Sequence, residues 1–343
     1  MGLLGNILIL CVLLQKHMQN TFNKLRAALA MFDSMLLGPL VLSNILGLTI
    51  DKETFGGTFC YFFWPLQNFS QTASMFMTVA IAIERLRAVS YPHKYRKNQR
   101  YRTTKYVVSV TIIALVFNLT KFFEFQPDAS GKDNWSKKWG FTGTTMLKTL
   151  GYAIYEIIIF KILAAQLIPI TLLIFSYAKI FVKLRQNRKR IEGSSGVGDT
   201  HEDKKTAEEE SMALLFAGVV ITSIICNIPE IIVKVIWLVL TVQYPDLLDD
   251  QPQWVGNAIL VRNSSIALNS SVNVIIYSLL GKSFREECKR VVLRMIGKCK
   301  CCHTNSSLQG PGESKNQQHN VAKFYDSETE QLSGANTTST SAV

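Results

Sequence analysis

The sequence predicts an all-α membrane protein: a bundle of seven transmembrane helices, with an eighth, amphipathic helix on the cytoplasmic surface. Three observations carry that prediction. Of the 343 residues, 48% are hydrophobic, and they gather into runs too long for a soluble core, since a bilayer needs roughly 20 apolar residues per helix. Basic residues bracket those runs. From Arg85 to Lys105 there are eight Lys or Arg and no acid, and from Lys282 to Lys300 seven against Glu286 and Glu287, whereas 235–261 has none. Finally, Phe284, Cys288, Val291, Val292 and Met295 form the apolar stripe of a surface helix.

The predicted helices run over about 2–15, 25–49, 58–88, 104–123, 150–183, 209–242 and 255–280, with the amphipathic helix at about 282–295. Positively charged loops face the cytoplasm, which puts the N-terminus outside and the C-terminus inside a plasma-membrane protein. Residues 1–300 then form the membrane domain. Residues 301–343, rich in Ser, Thr, Asn, Gly and Gln, form a disordered tail. The net charge of +12 serves topology and attraction to anionic membrane lipid. It brackets spans instead of covering one face, which argues against a nucleic-acid partner. Seven cysteines give no disulfide framework.

The first helix starts abruptly at Met1-Gly2-Leu3-Leu4-Gly5-Asn6 and has about 14 apolar residues, or about 21 Å, against a hydrocarbon thickness of about 30 Å. A native start further upstream is therefore expected. In the second helix Asp33 stands near mid-membrane, where a carboxylate is costly and a functional candidate; the alternative is an acid facing a polar gap. On the third helix Cys60, Gln67, Ser74 and Arg85 recur at near-multiples of 3.6 and share a face. Glu84-Arg85 ends that run; the arginine is either a helix-end anchor or part of a switch. Asn134-Trp135-Ser136, in the polar loop over 124–149, is the candidate glycosylation site. Pro169 and Pro229 are expected to bend the fifth and sixth helices. Asn269, Asn273 and Tyr277 share one face of the seventh. Cys299, Cys301 and Cys302 follow the surface helix, near enough to lipid for palmitoylation. Ser341-Ala342-Val343 suits a PDZ groove.

Taken together, these residues resemble the rhodopsin-like G-protein-coupled receptors over residues 3 to about 300. The likeness rests on Gly5-Asn6, Leu29-Ala30 with Asp33, Cys60, Glu84-Arg85 with Pro92, Pro169 with Tyr177, Cys226 with Pro229, and Asn273 with Tyr277. Within that family, Pro65-Leu66-Gln67, Gln71-Thr72-Ala73-Ser74, Phe122-Phe123-Glu124, Cys226-Asn227 and the Asn269–Asn273 stretch resemble invertebrate FMRFamide-type neuropeptide receptors. There are departures. Leu86 replaces an aromatic, Asn227 a tryptophan and Val274 a proline, and the second outer loop lacks the cysteine that most members join to the Cys60 position.

The resemblance implies a receptor, not an enzyme, that binds an extracellular peptide and activates a heterotrimeric G protein, with arrestin as a further partner. Arg85 is expected to pair with Glu84 and with Glu209, and Pro92, Tyr177, Asn273 and Tyr277 to complete the switch. Asp33, Ser74, Asn269 and Asn273 match the family's central polar cluster, an oxygen donor set suited to an allosteric sodium ion and to no other metal. Gln67 stands where amine receptors carry an aspartate, and Ala267 where opsins carry a lysine, so a peptide is favoured. With Glu124, Glu156, Asn227 and Glu230 as pocket candidates, that peptide is expected to be amidated, RFamide-like and basic near its end. Glu230 has another use open to it, as the i, i+4 partner of Lys234. The alternatives are a seven-helix protein that does not signal and a membrane transporter, though no internal repeat supports the latter.

Overall fold

A computed structural model describes residues 2–18, 20–91, 99–128, 140–194, 200–243, 253–280 and 284–293. Pro92, Asn134, Cys299, Cys301, Cys302 and Ser341–Val343 lie outside the described residues.

Among the described residues, seven long helices lie where the apolar runs predict them. They are α1 (Gly2–Leu13), α2 (Thr21–Thr49), α3 (Lys52–Ser90 in three consecutive parts), α4 (Gln99–Asn118, tightening to a 3₁₀ turn over Leu119–Phe123), α5 (from Leu150 to Ser194), α6 (Thr200–Gln243) and α7 (Gln253–Leu280). A surface helix, α8, follows over 284–293. By length and composition alone α2, α4, α5, α6 and α7 suffice to cross a membrane, while α1 is apolar but only 12 residues long. Helix α3 falls short in apolarity because it is the polar centre of the bundle. Its Asn68, Ser70, Thr72, Ser74 and Thr78 are all buried, and it packs against α2, α4 and α5. Polar side chains at this depth are tolerated because neighbouring helices, not lipid, surround them. Conversely Leu48, Ile112, Val116, Phe175, Ile225 and Leu260 are exposed and apolar, as a lipid-facing surface requires.

The helix starts follow capping chemistry. Asn20 accepts from the Asn23 amide at 2.8 Å and starts α2 four residues before the predicted boundary. Asp51 accepts from the Thr54 amide at 2.8 Å and starts α3 at Lys52, a turn and a half early. That hydrogen bond holds the Asp51 carboxyl below the usual carboxylate range. Proline shapes α5 by more than a bend. The helix is π-wound over Ile154–Leu167 and returns to α geometry at Ile168, so Pro169 lies in the first turn of the α part, where a missing N–H is tolerated. Pro229 lies within α6, which runs unbroken from Thr200 to Gln243.

Among the described residues, one element departs from the all-α expectation. Phe125–Pro127 (β1) pairs antiparallel with Phe141–Gly143 (β2), the registered pairs being Phe125 with Gly143, Gln126 with Thr142 and Pro127 with Phe141. This hairpin lies on the start of α3. Phe141 stacks on Phe59 at 4.3 Å, and Phe125 meets Phe141 and Trp64 edge-on at 5.4 and 5.1 Å. Glycine makes the contact close enough. A β-carbon on Gly56 would stand 1.8 Å from the Gly140 carbonyl oxygen, and one on Gly140, at φ +78°, 1.9 Å from that of Lys52. Cys60 is a free, fully buried thiol in the same cluster.

At the opposite end Phe284 and Val291 of α8 are buried against a cluster that includes Ile9, Val12, Ile276 and Tyr277. Val292 and Leu293 are exposed, so of the predicted stripe Phe284, Cys288 and Val291 face the bundle and Val292 does not; Met295 lies outside the described residues.

Candidate functional site: a charged cavity above a polar centre

Helices α2, α3, α5, α6 and α7 enclose a cavity of about 30 Å³. Gln71, Lys161, Gln166, Asn227, Glu230 and Lys234 give it its polarity. Glu230 is fully committed: its Oε1 lies 2.6 Å from Lys234 Nζ and 3.7 Å from Arg262 Nη2, and its Oε2 accepts from Gln71 Nε2 at 2.5 Å. Lys161 differs. Its ammonium donates to Asn118 Oδ1 at 2.9 Å and Asn68 Oδ1 at 3.3 Å, both neutral, and Asn118 is itself fixed by donating to Thr72 Oγ1 at 3.0 Å.

Nearer the hairpin Lys121 holds two acids at once. It pairs with Glu124 and lies 2.6 Å from Glu156 Oε1, with all three side chains buried. Glu124 also accepts from Trp64 Nε1 at 2.6 Å and Tyr152 Oη at 2.7 Å. The network ties α3, α4 and α5 together under β1.

Towards α8 lies the polar centre. Ser74 Oγ donates to Asp33 Oδ1 at 2.6 Å and Asn273 Nδ2 to Asp33 Oδ2 at 2.8 Å, which joins α2, α3 and α7 on one carboxylate with no exposure to solvent. Asn6 extends it by donating to the Ser270 carbonyl at 2.9 Å. At the α8 end Glu84 is fully buried, with Arg102 Nε of α4 at 3.4 Å. The Arg85 guanidinium lies over the Phe22 ring at 5.2 Å, and that of Arg26, itself buried, over Tyr277 at 3.6 Å. Tyr277 meets Phe284 edge-on at 6.1 Å. Tyr177 packs in the cluster of Met75, Val79, Leu173 and Val220.

Of the predicted residues, Asp33, Ser74 and Asn273 are brought together, and Asn227 and Glu230 line the cavity. Asn269 lines it too, and among the described residues no hydrogen bond joins it to Asp33. Four expectations need correction. Gln67 is half-buried and outside the cavity wall; Gln71, one turn on, holds that place. Glu124 and Glu156 face Lys121 and do not line the cavity. The ion pair found on Glu84 is with Arg102, because neighbours in a helix point about 100° apart and a residue on the next helix reaches it better. Finally, a basic ligand end finds none of its three expected acids vacant, since Glu124, Glu156 and Glu230 all hold lysines. Glu209 lies on α6, and its side chain is outside the described part.

Sequence reasoning passed over Lys121, Lys161, Lys234 and Arg262 as site residues, and Arg26. The available signal was the rule that singled out Asp33: a charge inside a membrane run is functional by default. Lys161, within Ile157-Ile158-Ile159-Phe160-Lys161-Ile162-Leu163, meets it fully.

The bundle and its polar centre define a receptor of the seven-helix class. Residues 5–277 match the family model of the 7 transmembrane receptor (rhodopsin family), and the chain belongs to that family, whose members are receptors and not enzymes. It is therefore a multi-pass membrane protein. Mouse relaxin receptor 1 is 26% identical over 233 residues, 66% of this chain and 27% of that protein. Rat melatonin receptor type 1B is 26% identical over 323 residues, 90% of this chain and 80% of that protein. The FMRFamide receptor of Drosophila melanogaster is 29% identical over 133 residues, 36% of this chain and 24% of that protein. The chain thus spans about a quarter of the relaxin receptor's length, and the relatives it matches are named for peptide, amine and melatonin ligands alike.

Proposed function

We propose that this chain is the receptor of an extracellular peptide and passes the signal to a heterotrimeric G protein at the end that carries α8. The observation that carries the reading is the polar cavity among α2, α3, α5, α6 and α7, joined through Asp33 and Asn273 to Tyr277 and α8. A ligand there bears on five helices, and only its differential affinity for two arrangements of them can drive a switch. The N-terminus and the hairpin are then outside, and α8 and the tail inside, as the basic loops argue.

A peptide is favoured because the cavity wall offers amide partners, Gln71, Gln166 and Asn227, and because Gln67 and Ala267 supply neither an amine's carboxylate nor a retinal lysine. Local likeness to the Drosophila FMRFamide receptor supports an amidated, RFamide-like member of that class. An arginine in such a peptide stays outside the cavity, since Glu230 already has two cations. Asp33 with the Ser74 hydroxyl offers a hard, buried oxygen pair that fits an allosteric sodium ion, with Asn273 and Asn269 beside it. Glu84, Arg85, Tyr177, Glu209 and Tyr277 form the G-protein switch. Arrestin, palmitoylation at Cys299, Cys301 and Cys302, glycosylation at Asn134 and a PDZ partner at Ser341–Val343 rest on sequence alone.

G-protein activation in cells expressing the chain, screened against amidated peptides and biogenic amines, tests the reading. Activation by at least one amidated peptide, lost in Arg85→Ala at equal surface expression, is the expected result. Activation by amines alone overturns the peptide reading. Silence to every peptide, with the receptor at the cell surface, overturns the signalling one.

A further inference from the structure

Charge in the cavity does not balance. Lys161, Lys234 and Arg262 face a single acid, Glu230. The neighbouring Lys121–Glu124–Glu156 group adds one cation and two acids that satisfy each other, and Asp33, below the cavity, is held by the neutral Ser74 and Asn273 and pairs with none of these cations. The excess falls on Lys161, which is 9% exposed and whose described partners are two neutral amide oxygens. An ammonium has three donors. Asn68 and Asn118 take two, and the side chain lines the cavity, so the third is left for whatever enters it. A cation at this depth with only amide partners is costly, and an opposite charge in contact offsets that cost.

The remaining wall suits the same visitor. Gln166 Oε1 and Ser270 Oγ are buried and line the cavity; the first has no hydrogen-bond partner among the described residues, and the second stands beside Asp33. The first accepts from an N–H. A space of about 30 Å³ holds about two waters, which is the size of a carboxylate head.

We infer that the cavity receives a carboxylate of the ligand, held by Lys161 and flanked by Lys234, with a peptide N–H turned to Gln166. This rests on the receptor reading and deepens it: the peptide is acidic at the residue that enters the bundle. If its end is amidated, the acid is an Asp or Glu side chain; otherwise it is the terminal carboxylate.

Capped amino acids test this without knowledge of the peptide. The full chain in lipid nanodiscs is melted with N-acetyl-aspartic acid amide, which has only a side-chain carboxylate, and with N-acetylglycine, which has only a terminal one. The neutral controls are N-acetyl-asparagine amide and N-acetylglycine amide. At about ten times its dissociation constant, the acid that fits raises the melting temperature by about 2 °C, and its neutral control does not. Lys161→Gln abolishes the shift, and Lys161→Arg, which keeps the charge, retains part of it. Stabilisation by the aspartate compound alone assigns the acid to a side chain; by N-acetylglycine alone, to a free C-terminus. Equal effects of acid and neutral compounds overturn the inference, as does an undiminished shift in Lys161→Gln. So does the absence of any shift up to the solubility limit in a parent protein that melts cooperatively. Because no G protein takes part, a receptor that binds the acid and signals to no peptide refutes the signalling reading and leaves this one standing.

Discussion

Cys60 is a free thiol, yet the hairpin over α3 is held, and it is held by aromatic packing. Phe141→Ala is the informative perturbation. The ring is 4% exposed, stacked on Phe59 and met edge-on by Phe125. Truncating a buried phenylalanine costs about 3–5 kcal/mol, of which an aromatic pair supplies about 0.5–1.5 kcal/mol. Two strands of three residues cannot hold each other unaided, so nearly all of that loss should appear as local opening of the hairpin. At about 1.4 kcal/mol per factor of ten, amides in β1 and β2 should exchange with solvent on the order of 100-fold faster or more. Hydrogen exchange on the protein in nanodiscs reads this directly. Exchange in α2 and α7 should not change, and dithiothreitol should leave the parent's hairpin exchange unaltered. Gly56→Ala should open the same segment by another route, because the new β-carbon meets the backbone of Gly140 and no side chain can yield. Unchanged exchange in Phe141→Ala, or acceleration of the parent by dithiothreitol, refutes the argument.

Three other substitutions test the charged interior. Asp33→Asn should remove any difference in melting temperature between sodium and N-methyl-D-glucamine buffers; a difference that persists shows that sodium acts elsewhere. Arg26→Leu removes a desolvated cation from the Tyr277 face, a contact worth about 1–2 kcal/mol, and should raise basal G-protein activation about 5- to 30-fold if the contact belongs to the resting arrangement. Basal nucleotide exchange at matched surface expression measures it, and an unchanged rate means that Tyr277 is held by other neighbours. Lys121→Met leaves Glu124 and Glu156 buried without their cation and should destabilise the receptor by about 3–5 kcal/mol, read as a lower melting temperature. Adding Glu156→Gln should restore part of the loss, and a double variant no more stable than the single one counts against direct pairing.

Why the sequence disclosed some of this and not the rest follows from the range of each interaction. Helix positions were legible because the apolar runs are long and each helix is a local structure. Glu230 with Lys234 was legible as an i, i+4 pair, and the trio Asp33, Ser74 and Asn273 through likeness to known receptors. The hairpin was not: its strands are three residues long and 13 residues apart, and its stability comes from Phe59 and Trp64, more than 60 residues upstream. Nor was the pairing of Glu84 with Arg102, which depends on how α3 and α4 pack and not on adjacency. Lys161 was hidden for a different reason. Hydropathy averages over a window, and one lysine among isoleucines and leucines hardly lowers the mean, although energetically it is the most conspicuous group in the segment. The same averaging left α3 short of a membrane span in composition while its buried polar face made it the axis of the bundle. In a membrane protein, then, the polar exceptions to the mean hydropathy of a helix say what the helix is for. Lys121, Lys161, Glu156 and Glu230 are such exceptions, each buried at a cost that only a partner can offset, and Lys161 is the one whose described partners carry no charge.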